Sequence, residues 1–310
     1  MDEQVINTDL SALPRLGATL AQPAASPRIL SPTRQAVRRF LRHRLAVAGI
    51  VIFAVFCLLA IFAPVVARVG PDFVDLRARN LDPSPAHWFG TDRTGRDTFA
   101  RTLYAGRVSL SIGIVAAAIS IVIGAFLGSV AGYFGGWLDA LTMRVTDVVM
   151  TFPTIIIALT VVALTGPGVG KTMLVIGLLN WPIPCRLVRS KFLSLREAEY
   201  VQAARAIGAP TWRIIALHAF PNTIDVLAVY ASLGVVNAIL LEAGLSFLGL
   251  GVQPPTASWG NLLNVARNVS VLESTPWQWL PAGLAIVLTV LAINFVGDGL
   301  RDALDPRMNL

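Results

Sequence analysis

Charge is what this 310-residue chain has least of: only 14% of its positions are Asp, Glu, Lys or Arg, against roughly 25% in a soluble globular domain. That scarcity excludes a soluble enzyme as the default reading. Cysteine is nearly absent. Cys57 and Cys185 both lie inside apolar runs, which leaves neither a disulfide framework nor a thiolate metal site. Histidine is scarce as well, and His43, His87 and His218 fall in separate segments, so no metal site is expected from them. Acidic residues are outnumbered, giving a net charge of +7. In an apolar chain such an Arg excess reports loop orientation and contact with anionic lipid before it reports nucleic acid.

What is present instead is hydrocarbon. Hydrophobic residues make up 55% of the chain and the mean hydropathy is +0.67. Several uncharged runs approach the ~20 residues needed to cross a ~30 Å hydrocarbon core. The composition predicts an all-α polytopic membrane protein with one membrane domain, in contact with the lipid bilayer along most of its length.

Residues 1–44 form a separate compositional zone, rich in Ala, Pro, Ser and Leu and closing on Arg34, Arg38, Arg39, Arg42 and Arg44. This reads as a flexible arm with a basic end. A cleaved leader would need its apolar stretch near the terminus; here it begins only at Leu45, so residues 45–67 read as a retained first membrane helix. Residues 68–107 read as an external loop, and 108–300 as a core holding five more membrane helices. Those spans are Val108 to Gly132, Thr142 to Leu164, a short one from Thr172, Ile224 to Leu248, and Trp277 to Gly297. Within the second, Gly124 and Gly128 form a GxxxG that lets another helix approach closely. The uncharged part of the fourth stops at Cys185 and contains Pro182 and Pro184. It spans only if the helix runs on through Arg186 and Arg189, whose long side chains can snorkel to the surface. Trp277, Trp279 and Trp259 are placed as interfacial anchors. Residues 301–310 remain as a tail.

Six spans put both termini on one side. With that side taken as cytoplasmic, the inner segments hold 16 of the 25 Lys and Arg residues, the bias expected of cytoplasmic loops. The expected orientation is N-in and C-in.

Residues 166–172 read GPGVGKT, close to the phosphate-cradling loop GxxxxGK[ST]. The spacing fails, because the first glycine should stand at Thr165, and no strand precedes it. It reads as a tight glycine-rich turn, and the chain carries no recognisable ATPase.

The informative segment is 195–222, LREAEYVQAARAIGAPTWRIIALHAFPN. Residues 196–207 are helix-prone. Gly208 suits a C-terminal stop, Pro210 the first turn of a new helix, and Pro221 the end of that helix. The result is a helix-turn-helix elbow, which pattern alone allows to be an amphipathic connector. The small residues Ala203, Ala204, Ala206 and Gly208 favour close docking into a partner's groove.

The elbow resembles the coupling loop of type I ATP-binding-cassette importers, whose pattern is Glu-Ala-Ala, three residues, Gly, nine residues, Ile-x-Leu-Pro. Here it falls on Gln202, Ala203, Ala204, Gly208, His218, Phe220 and Pro221. Gln202 stands in place of Glu, and His218 and Phe220 replace Ile and Leu. Four further segments resemble the second membrane subunit of dipeptide, oligopeptide and nickel importers: HWFGTDRTGRDTFARTLYAGRVSL from His87, GGWLDALTMRVTDVVMTFPTIIIAL from Gly135, EYVQAARAIGA from Glu199, and LEAGLSFLGLGVQPPTASWGNLL from Leu241. The resemblance covers about residue 37 to the end. It implies a permease subunit that is not itself an enzyme and binds no cofactor. Its partners would be a homologous second permease, two cytoplasmic ATPases that use ATP and Mg, and an external substrate-binding protein. The expected cargo is short peptides, with nickel or glutathione as alternatives, and the expected location is a bacterial inner membrane. It also implies ATPase coupling through Glu199, Gln202, Ala203, Ala204, Gly208 and Pro221.

Two ionisable residues lie within or near spans, where charge is costly and usually faces a cavity or a partner. For Asp147 an ion pair with Arg144 one turn earlier is the favoured expectation. For Glu242, a gating or packing role stands beside a buried acid bonded to a helix carbonyl. The rival class is a self-sufficient secondary transporter, which should show discontinuous helices and paired relay residues.

Overall fold

The computed structural model describes residues 32–304. The first part of the basic arm and the end of the tail lie outside the described residues. Among those described, everything regular is helical apart from an isolated bridge between Thr91 and Asp97. Four helical stretches are long and apolar enough to cross a membrane, and a fifth is if one bent pair counts as a single span.

Helix α1 (Pro32–Arg42) lies within the basic arm, and α2 (Arg44–Ile61) follows it. His43 divides them: its extended backbone breaks the helix and its Nδ1 accepts the N–H of Ala46 at 3.1 Å. Helix α3 (Thr98–Phe134) is the longest element. It starts ten residues before the expected span, because Asp97 caps it by accepting the N–H of Ala100 at 2.8 Å. The 68–107 loop is therefore shorter than expected. Arg101 sits buried in the first turns of α3, bonded to the Pro71 carbonyl at 3.4 Å and 3.7 Å from Asp72.

The third expected span is not one helix. α4 (Gly136–Thr151) and α5 (Thr154–Thr165) meet at 83°. Pro153 lacks an N–H, and Phe152 before it is pushed to an extended conformation. The fourth expected span is also divided, into α6 (Val169–Leu179) and α7 (Pro182–Leu195), with Pro182 opening the second piece. Arg186 and Arg189 do lie on a continuing helix, but they form ion pairs with Asp147 and Asp139 of α4 instead of snorkelling alone.

Helix α8 (Glu199–Ala206) leads through Gly208 and Pro210 into a helical stretch from Thr211. Pro221 does not end that stretch. Residues 214–219 take a wider π turn and Phe220–Thr223 a tighter 3₁₀ turn, which lets the chain absorb the missing N–H and run straight on into α9 (Ile224–Phe247). Past α9 come α10 (Trp259–Leu263) and α11 (Leu280–Leu304). The last span starts three residues later than expected and extends past residue 300, so Arg301 is helical and not in a free tail.

Helix α3 is the axis of the bundle. A Cβ at Gly124 would lie 2.7 Å from the Trp181 carbonyl and one at Gly132 2.7 Å from that of Arg189, and a Cβ at Gly128 would press on that of Cys185. The backbones of α3 and α7 therefore nearly touch, and the expected GxxxG contact has α7 as its partner. One apolar cluster joins α2, α3, α9, α10 and α11 around Leu110, Ile239, Trp259 and Ile286. A second joins α3, α5, α6 and α9 around Ile112, Val162, Ile176 and Leu245. Cys185 is fully buried and Cys57 half-buried, both as packing residues.

Candidate functional site

Two groups of residues stand at opposite ends of α3: the elbow and a buried carboxylate. The elbow has two limbs, α8 and the segment from Thr211. Val201 and Ala204 on one limb and Ile214 on the other bury against each other, with Tyr133, Ala198 and Ala209 around them. Glu199 opens α8, where its charge complements the helix N-terminus. Gly208 adopts φ = 79°, and a Cβ there would meet nothing within 4 Å. Glycine is thus needed for the turn, and the space beyond it is open.

Five of the six sequence-derived coupling residues, Glu199, Gln202, Ala203, Gly208 and Pro221, are exposed, and Ala204 is buried beneath them. The Gln202 amide reaches the Glu197 carboxylate at 3.5 Å. The tip also carries apolar surface that composition did not flag: Ile207 is 84% exposed and Trp212 67%. The roots of the elbow are fastened. The Arg205 guanidinium lies 5.6 Å from the Tyr133 ring at the end of α3. Asn222 donates to the Tyr200 hydroxyl at 3.2 Å beside the start of α9. Lys191 pairs with Asp225 at 2.9 Å, joining α7 to α9.

Glu242 lies on α9 and is 0% exposed. Its hydrogen-bond partners among the described residues are hydroxyls, not a helix carbonyl or a basic group. Oε1 accepts from Ser246 at 2.7 Å and Oε2 from Ser109 at 3.1 Å. Each serine oxygen in turn accepts a backbone N–H, from Val252 at 2.9 Å and Trp259 at 3.1 Å respectively. The Trp259 indole donates to the Thr102 carbonyl at 3.1 Å. Trp259 is therefore buried in the bundle and does not sit at an interface as expected. Trp277 and Trp279 are half-buried, with indole nitrogens sealed from solvent. The arrangement can do no acid-base chemistry on an external molecule; it binds the segment after α9 to α3 and α9.

Asp147 joins neither group. It pairs with Arg186 of α7, not with Arg144 on its own helix. The partner lies 39 residues away, where i, i+3 reasoning does not look. Within GPGVGKT only residues 166–168 form the turn, with φ of 80° at Gly166 and 154° at Gly168, and 169–172 open α6; the Lys171 ammonium bonds the Thr165 carbonyl at the end of α5. A cavity of about 540 Å³ opens between α7, α9 and α11, with Ile183, Leu187, Asp225, Tyr230, Asn237 and Arg301 on its walls. No group of three metal-ligating side chains occurs among the described residues.

Comparisons with known proteins agree on one family. Residues 120–310 match the profile described as binding-protein-dependent transport system inner membrane component. Residues 31–83 match the N-terminal TM domain of oligopeptide transport permease C. The chain is 49% identical to a protein of Brucella suis biovar 1 described as a peptide permease, over 92% of this chain and 94% of that one. It is 43% identical to the dipeptide transport system permease protein DppC of Alkalihalophilus pseudofirmus, covering 90% and 91%. It is 40% identical to the glutathione transport system permease protein GsiD of Pectobacterium atrosepticum, covering 90% and 93%. With an apolar helical bundle, an exposed elbow and matches that span nearly its whole length, the chain belongs to the family of binding-protein-dependent transport system inner membrane components.

Proposed function

We propose that the chain is the permease subunit of an ATP-driven importer of short peptides in a bacterial inner membrane. It forms half of a pathway that a homologous second permease completes. Two ATPases dock on the elbow and supply ATP hydrolysis with Mg, and an external binding protein delivers the cargo. The chain itself performs no chemistry. The observation that carries this reading is the elbow: an exposed glycine turn with open space above it, fastened through Tyr133 to α3 and through Asn222 to α9. A push on Glu199, Gln202, Ala203 and Gly208 is thereby passed to two long helices, with Ala204 as the packed hinge beneath and Pro221 in the turn that joins the elbow to α9. Asp147 and Glu242 hold helices together in this scheme and gate nothing directly.

The topology that serves this function has six spans, N-in and C-in: α2, α3, the α4/α5 pair, the α6/α7 pair, α9 and α11. It leaves residues 1–44 and the end of α11 from Arg301 inside, 45–67 as the first span, the loop from 68 outside, and the elbow of 195–222 inside. The cavity between α7, α9 and α11 supplies aliphatic walls with Asp225, Asn237 and Arg301 on them, a lining suited to passing zwitterionic peptides without holding them. The names of the relatives favour peptides, with glutathione as the alternative within the family.

A second reading rests on the two interrupted helices, at Pro153 and before Pro182, a feature shared with self-sufficient secondary transporters. Reconstitution separates the two. Uptake that needs the ATPases and the binding protein supports the importer, and uptake by this chain alone supports the rival. Sidedness is tested with thiols. Thr211→Cys should react with an impermeant reagent only after the membrane is opened, and Ala86→Cys should react from outside. Both positions are exposed, and the reverse pattern would overturn the orientation.

A further inference from the structure

We propose that α1 is a binding site for the acidic headgroup of an anionic phospholipid, held by Arg34, Arg38 and Arg42 with Val37 and Leu41 between them. The spacing 34, 37, 38, 41, 42 puts all five on one face of a helix, and all five are exposed. Val37 is 58% and Leu41 64% exposed. The other side of the helix is taken. A Cβ at Gly299 of α11 would lie 3.3 Å from the half-buried Phe40 ring, and His43 lies 3.6 Å from Asp302. The mixed face is therefore held outward by packing that does not involve it.

Three arginines stacked at i, i+4, i+8 repel one another and weaken a helix unless an anion lies among them. Asp302, the carboxylate beside the end of α1, faces His43 and pairs with none of the three. No Asp or Glu occurs between Asp9 and Asp72, and among the described residues no carboxylate pairs with Arg34, Arg38 or Arg42. The location selects the kind of anion. Past the break at His43 an exposed aliphatic row follows along α2 through Val51, Val55 and Leu58, the surface that meets acyl chains. A face that alternates guanidinium with branched aliphatic groups at the root of a lipid-facing helix sits at headgroup depth. There the arginines reach phosphate and the aliphatic groups reach the glycerol and first methylenes. Arginine suits this role because its planar fork gives two donors to one phosphate. A nucleic acid would gain nothing from the aliphatic half of the face.

The inference rests on the bilayer placement and not on cargo or ATPase coupling. The test reconstitutes the purified chain in phosphatidylcholine bilayers with trace spin-labelled phosphatidylglycerol or phosphatidylcholine and reads the motionally restricted fraction by electron spin resonance. At low salt the wild type should favour phosphatidylglycerol by about threefold or more, and about 0.5 M salt should erase most of that preference. Arg34→Gln with Arg38→Gln and Arg42→Gln should at least halve it, while the total of restricted lipid per chain stays constant, which reports that the bundle still inserts. The same three positions changed to Lys should keep most of the preference. An undiminished preference in the triple Gln variant, or none in wild type, would overturn the site. Absence of any restricted lipid would overturn the bilayer placement itself.

Discussion

The two ends of α3 are built by opposite rules. At one end Glu242, Ser109, Ser246 and Trp259 are buried and satisfied by bonds reaching from 4 to 157 residues along the chain. At the other, the elbow's side-chain bonds are exposed, several as long as 3.5 Å, and its best-shaped surface faces open space. From Ser109 to Tyr133 the helix spans roughly 36 Å at 1.5 Å per residue. The first end is complete in this chain alone, since every polar atom of the carboxylate network has a partner. The second has Ile207, Trp212 and a bare glycine turn presented outward, the surface that the proposed reading has an ATPase cover. A rigid end and an unfinished end on one long helix are what a lever needs.

The largest expected effect tests the rigid end. Glu242→Ala leaves two buried hydroxyls without their acceptor, at about 1–3 kcal/mol each, and opens a cavity besides. The detergent-solubilised protein should lose about 3–5 kcal/mol, read as a lowered unfolding midpoint and poor yield, whereas Glu242→Gln, with similar shape and one acceptor oxygen, should lose about half as much. A Glu242→Ala protein as durable as wild type would erase the contrast between the ends.

At the elbow the comparison predicts the reverse pattern, with function lost and stability kept. Because nothing lies within 4 Å of a Cβ at Gly208, Gly208→Ala and Gly208→Asp should each cost only the strain of positive φ, about 1 kcal/mol. Asp tolerates that region better than Ala does. If the turn acted alone, Asp would therefore be the milder change. Docking inverts the order, since a carboxylate buried against an ATPase groove lacks a partner. Uptake should fall at least about tenfold for Gly208→Asp, or ~1.4 kcal/mol, and much less for Gly208→Ala. Near-normal uptake by the Asp variant would remove the elbow from the mechanism.

A smaller effect tests how firmly the loop before α3 is fastened. The Asp92 carboxylate accepts the N–H groups of Thr94 and Arg96 at 2.7 and 3.0 Å and the Arg96 Nε–H at 2.7 Å. Burial alone would raise its pKa, but the Thr94 hydroxyl, which donates to it at 2.6 Å, and the Arg96 bonds and charge outweigh burial and hold the carboxyl below the usual range. The folded loop then binds fewer protons than the unfolded one, so this stabilisation is full above the ordinary Asp value near 3.9 and fades as pH falls through the depressed folded value. Proteolysis of residues 68–97 should accelerate as pH drops from 5 toward about 3, by an amount worth roughly 1 kcal/mol. Asp92→Asn should be faster at pH 5 and flat across that range.

The smallest effect belongs to Lys171→Ala. It removes one exposed bond to the Thr165 carbonyl, a change of at most about 0.5 kcal/mol. ATP hydrolysis by the assembled complex should stay within about twofold. A loss as deep as that from disabling the ATPases would show the glycine turn to be a phosphate site.

Much of this was legible in the chain itself, though unevenly. Uncharged length located α2, α3, α9 and α11, because a run of apolar residues has the same meaning wherever it packs. Gly208 was legible because positive φ is a local demand on one residue. The breaks were less so. Pro153 stands in plain view, but the apolar run passes through it unbroken, and hydropathy does not register a missing N–H. Thr91, bonded to the Ala78 carbonyl and the Leu81 N–H, gives no local sign that it is fully buried, so a thiol there would report burial, not sidedness.

The sequence by itself determined that this is an apolar helical bundle, that a glycine-hinged elbow lies at 195–222, and which family the chain joins, because hydropathy, turn chemistry and motif spacing are all properties of neighbours along the chain. Only the tertiary structure decided the partners of the charges and polar groups. Asp147 meets Arg186, Arg189 meets Asp139, Glu242 meets Ser109, and three glycines of α3 meet α7, each across 39 to 133 residues for the polar pairs. Such pairings are set by which faces of distant helices pack together, and in a chain where most helices are apolar all round, no periodicity marks those faces in advance.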